Sequence, residues 1–131
     1  MLTLFIHSAH PCAHRILPED RILFVNSYWL DKIRSGEKTV EIRGFRCDQK
    51  MLWLSPCRSS KATIKVHVSR CLGPLSAAEW DEMREQHKVV GDRNYGEKTF
   101  AWEFSDVLIL EPPIDFVRKK GPIIYQVGPG P

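Results

Sequence analysis

Apolar and polar positions change rhythm several times along the chain, and each change marks an element. Met1 to Ile6 is mostly apolar and reads as a strand, while residues 7–21, rich in His, Pro and charge, read as a loop. Ile22-Leu23-Phe24-Val25 is a short unbroken apolar run of the kind a buried strand makes. Asn26-Ser27 then offers an N-cap, and Tyr28 to Arg34 predict about two helical turns with Trp29 and Ile33 on one face. Lys32 and Arg34 suit the last turn, and Gly36 suits the left-handed residue that ends it. From Thr39 to Arg43 the period becomes two, with Val40 and Ile42 on one side and Thr39, Glu41 and Arg43 on the other.

Met51-Leu52-Trp53-Leu54, closed by Ser55-Pro56, predicts another short strand, and Thr63 to Cys71 alternates cleanly with Ile64, Val66 and Val68 inward. Ser76-Ala77-Ala78-Glu79 is a capping box that opens a helix running to about Gln86 and burying Trp80 and Met83. Gly91 to Lys98 is loop-like, Thr99 to Leu110 is the longest strand candidate, and Ile123 to Val127 is the last. About six short strands with two or three short helices predict an α+β domain built on a small, closed, mixed β-barrel. The chain has 131 residues and neither a repeat nor a linker that would split it. Residues 1–21 read as an N-terminal extension or first strand plus loop, 22–127 as the domain and 128–131 as a tail.

Composition narrows the class further. A chain 43% hydrophobic and 27% charged is neither disordered nor collagenous, and its apolar runs are too short for a membrane helix. The net charge of +3 is mild but unevenly spread: residues 32–70 carry ten basic and three acidic side chains, residues 71–104 four basic and seven acidic. A basic face for a polyanion beside a solvated acidic helix is one account of this, and chance clustering is the other. Cys12, Cys47, Cys57 and Cys71 contain no C-x-x-C pair, so an intracellular, reducing location, cytoplasmic or nuclear, is expected. His10-Pro11-Cys12-Ala13-His14 is a poor metal motif, with a proline between its ligands and no fourth donor, and no cofactor is expected.

The chemistry concentrates in Gly36-Glu37-Lys38-Thr39-Val40-Glu41-Ile42-Arg43. Period two puts Glu41 and Arg43 on one side, where they can pair and still present unused donors and acceptors. Lys38, in the turn before the strand, can converge on the same spot. Lysine suits a phosphate, arginine a bidentate contact, and glutamate a base amine or a transferable proton. A plain ion pair on an edge strand is the competing account.

This G-x-K-x-x-E-x-R string after a short helix resembles the signature of the ASCH domain family, a branch of the PUA-like barrels. Trp53-Leu54-Ser55, the strand from Thr63 to Cys71, the helix from Leu75-Ser76 through His87, Phe100-Ala101-Trp102-Glu103-Phe104, and the ending from Pro113-Ile114 to Gly121-Pro122-Ile123-Ile124-Tyr125 follow in the family's order. The resemblance covers residues 22–127 and implies a cleft between the Gly36–Arg43 segment and the aromatic strand, taking single-stranded RNA or a nucleotide. Lys38, Glu41 and Arg43 would line it, with Tyr95, Trp102 and Trp53 as candidates for stacking on a base. Of these, Tyr95 lies in a polar loop, whereas Trp102, Trp53 and Trp80 sit among apolar positions that suit a core. A role in RNA metabolism or transcription coregulation would follow.

Some relatives of this kind are amidohydrolases that act on N4-acetylcytidine with a lysine, a threonine and a glutamate. Lys38 matches that lysine. The threonine position is Glu41 here, with Thr39 two residues earlier, and Glu79, Glu82 and Glu85 are all available for the glutamate. Were the chain such an enzyme, Lys38, Thr39 and Glu41 would be its candidate catalytic residues; a ribonuclease is the other activity the resemblance implies, with His67 and His87 as candidate general acid and base. Glu41 beside Lys38 is expected to keep the ammonium charged, which favours binding. A third alternative is a protein-interaction adaptor.

Overall fold

The structure is a computed structural model that describes residues 5–9, 14–120 and 125–130. Seven strands form one mixed sheet: β1 (Phe5–Ala9), β2 (Arg21–Val25), β3 (Val40–Arg43), β4 (Met51–Pro56), β5 (Lys61–Leu72), β6 (Phe100–Asp115) and β7 (Tyr125–Val127). The order is β1-β6-β5-β4-β2-β7, with β3 pairing to β6 beside β1. Among the described residues three helices accompany it, α1 (Ser27–Ser35), α2 (Ala77–Glu82) and α3 (Arg84–His87), with a 3-10 turn at Gly96–Lys98. The fold is the small mixed α+β barrel that the pattern predicts, in the form of a sheet curled into a half-barrel. Among the described residues β7 does not pair with β1 or β3, so the barrel is not closed by a strand ladder.

Burial on both sheet faces explains the unbroken apolar runs. In β2, Leu23 and Val25 face one core and Ile22 and Phe24 the other; in β4, Leu52 and Leu54 oppose Trp53 in the same way. The concave core takes Leu30 and Ile33 of α1, Val66 and Val68 of β5, and Trp102 and Phe104 of β6. The opposite core is covered by Ile16 and Phe116, and there Asp20 accepts the Trp53 indole N–H at 2.9 Å. A third cluster packs Val40 and Ile42 of β3 against Leu75 and Trp80.

Two element boundaries differ from expectation. β6 runs past Leu110 through Pro112-Pro113, because pairing with β5 skips the segment without N–H donors and resumes at Ile114 opposite Ala62. The capping-box helix breaks at Met83, and beyond the break His87 stacks on Trp80 at 3.8 Å between ring centroids. β1 pairs in parallel with Asp106–Leu110 of β6, a contact between the two ends of the sequence. No helix among the described residues is long and apolar enough to cross a membrane.

Candidate functional site

α1 begins where the Asn26 side chain accepts from the Tyr28 N–H and ends at Gly36, whose φ of 85° carries the chain into the left-handed region. Lys32 O then accepts from the Lys38 N–H, so the helix end fixes where the lysine leaves the backbone. Lys38 is 1% exposed. Its ammonium donates to the His87 carbonyl, lies 3.8 Å from Glu41 Oε1 and sits 4.4 Å above the Trp29 ring. That carbonyl ends α3, and a terminal helix carbonyl has no partner within its own helix; the lysine supplies one. His87 is held in turn by Nε2 against Trp80 O at 2.9 Å and by Nδ1, which accepts from the Val89 N–H at 2.9 Å. The ring is therefore neutral, and burial lowers its pKa.

Glu41 is buried and bridges two cations. Its Oε2 accepts from Arg43 Nε at 3.2 Å and Nη2 at 2.7 Å, while Nη2 also donates to Phe24 O at 3.0 Å. Burial lowers the Lys38 pKa to about 8; Glu41 opposes the shift and Arg43 adds to it. At that value the ammonium still carries its proton at neutral pH, with Glu41 working against desolvation as expected.

These three side chains meet at a cavity of about 240 Å³ walled by Trp29, Asn26, Cys57, Asn94 and Tyr95. Tyr95 is 46% exposed and forms part of the rim. Gly44 lets the ring lie close to the backbone, since a Cβ there would sit 2.7 Å from Tyr95 Cδ1 and displace it. Trp102 is a correction. Although it is the register partner of Glu41, it is fully buried, donates its indole N–H to Phe45 O at 3.0 Å and does not line the cavity. Trp53 and Trp80 are likewise core. The aromatic wall is instead Trp29, which the sequence placed with Ile33 on one face of α1.

Thr39 is a second correction. It turns to the other side of β3, into a separate cavity of about 490 Å³ with Arg70, Glu79, Glu82, Gln86 and Glu103. Glu85 pairs with Lys88 on the surface. Neither the threonine nor any of the three glutamates from that region joins Lys38. Asn26, Trp29, Asn94 and Cys57 were missed as site residues; only the closeness of Asn26 and Trp29 to the Gly36–Arg43 segment offered a signal. Among the described residues no group of His, Cys, Asp and Glu is placed to hold a metal, and His10 to Ala13 lie outside them.

Comparison with known proteins sets this geometry in context. The chain covers 86% of its length and 90% of the other in a match to the crystal structure of a serine-to-alanine mutant of the ZmASCH protein from Zymomonas mobilis, with a TM-score of 0.64 and 14% identity. That likeness is one of fold, a PUA-like architecture. No curated protein matches. The model of the ASCH domain family matches residues 23–114, from β2 into β6 and across the whole Lys38–Glu41–Arg43 segment, so the chain belongs to the ASCH domain family.

Proposed function

We propose that the protein is a binding module for a nucleotide or a single nucleotide unit of single-stranded RNA, and that the Lys38–Glu41–Arg43 cavity is its recognition site. The observation that carries this reading is convergence: the three charged groups meet at one hollow beside the Trp29 ring and do not splay into solvent. Two cations and one carboxylate leave the cavity net positive, which suits an anionic ligand. A space of about 240 Å³ is below the ~300–1,000 Å³ of drug-sized sites and matches a single base or nucleoside, not a helix. Trp29 and Tyr95 offer ring surface, worth about 1–3 kcal/mol per stacked base. The amidohydrolase alternative needs a threonine and a glutamate beside Lys38, whereas Thr39, Glu79 and Glu82 line the other cavity and Glu85 pairs with Lys88 on the surface.

The test is binding of short single-stranded RNA, followed by fluorescence anisotropy across a salt series. Binding is expected to weaken as salt rises. Lys38→Met, which keeps the buried stem, is expected to lower affinity at least about tenfold. Unchanged affinity in a folded Lys38→Met protein would remove the reading.

A further inference from the structure

A nucleotide brings a phosphate as well as a base, and the buried charges have little left to offer one. Lys38 is held by the His87 carbonyl and Glu41, and Arg43 divides its bonds between Glu41 and Phe24 O. Several cations on the neighbouring elements are also engaged: Lys32 pairs with Glu37 at 3.3 Å, Lys88 with Glu85 at 3.4 Å, and Arg93 lies 3.7 Å from Asp92, while Lys98, beyond Tyr95 in the rim loop, is exposed and has no such partner among the described residues.

Arg58 is unpaired as well. It is exposed and makes no hydrogen bond or ion pair among the described residues. It occupies the third position of the turn between β4 and β5, in which Ser59 N–H donates to Pro56 O at 3.1 Å. Its neighbour Cys57 lines the cavity. The Cys57 N–H donates to Val25 O at 3.2 Å, which ties the turn to the strand end carrying Phe24 and Asn26. Arg58 has a φ of 66°, whereas Cys57 does not have a positive φ. This is the sign pattern of a type II turn, where glycine or asparagine is ordinary and a bulky side chain is strained. Nothing in the packing of the fold uses the arginine.

From this strain, the free charge and the place beside the cavity, we infer that Arg58 is a phosphate-binding residue at the cavity mouth, so that the ligand is a phosphorylated nucleoside whose base enters the Lys38–Glu41–Arg43 hollow. The inference rests on the nucleotide reading and adds a second subsite to it. Guanidinium is suited to the task, since it meets phosphate oxygens with two parallel N–H donors.

The test titrates the four ribonucleoside 5′-monophosphates and the four matching nucleosides, by calorimetry at low salt, into the wild-type chain, Arg58→Gln and Arg58→Gly. The wild type is expected to bind its preferred monophosphate about tenfold or more tighter than the nucleoside. In both variants that preference is expected to shrink to about twofold or less while nucleoside affinity holds. Arg58→Gly is also expected to melt at a higher temperature, because glycine adopts this φ without strain. A phosphate preference that survives in both variants overturns the assignment but leaves the cavity reading intact. Loss of nucleoside and monophosphate binding in equal measure overturns it too, and so does failure of the wild type to bind any of the eight compounds, in which case the cavity reading stands or falls on the RNA titration.

Discussion

Lys38 combines two properties that rarely coexist, a cation and near-complete burial, and the balance between them is set within a few ångströms. Desolvation takes its pKa down to about 8 against the pull of Glu41. Affinity for an anionic ligand is therefore expected to fall as pH rises through about 8, where the ammonium loses its proton, and Lys38→Met is expected to lack that fall; calorimetry over pH 6.5–9.5 checks both. Folding stability runs the opposite way. Between about pH 8 and the ordinary lysine value the unfolded chain binds more protons than the folded one, so stability rises across that window. The charged residues of this site were legible from type and spacing. How deeply Lys38 is buried was not, because that depends on Trp29 and on the His87 carbonyl, the latter 49 residues away. Trp102 misled because strand parity gives a side chain's face, whereas access to a hollow depends on what covers that face, and Thr39 misled because it precedes β3, where parity no longer holds.

Among the elements, α1 links stability to the site most directly. Asn26 caps the helix through its side chain and also lines the cavity, and the same helix carries Trp29. Asn26→Ala is expected to cost about 1 kcal/mol of stability, read by urea denaturation, and to weaken ligand binding, whereas Asn26→Asp retains the cap. This helix was readable because its signals are local: an N-cap, basic residues in the last turn and glycine at the end. The capping box of α2 was readable for the same reason. The break at Met83 was not, since stacking of His87 on Trp80 is a consequence of tertiary packing. Likewise the strand expected to stop at Leu110 continues, because the ladder to β5 resumes at Ile114 beyond Pro112-Pro113.

At the scale of the whole molecule, the α+β class and the barrel-like sheet follow from strand spacing and alternation. The pairing of β1 with β6 brings together segments about a hundred residues apart, a distance over which periodicity carries no information. β6 is the strand on which the parts depend. Its first four residues pair with β3 and so hold the Glu41 and Arg43 backbone, Asp106–Leu110 pair with β1, and β5 follows it along most of its length. In native-state hydrogen–deuterium exchange, amides in the Ala101–Leu110 stretch of β6 are expected to exchange last and together, by global unfolding alone, while those of the Asp92–Lys98 loop exchange early. In the proposed binding role, the pairing of β3 with β6 would serve as a fixed floor beneath the exposed Tyr95.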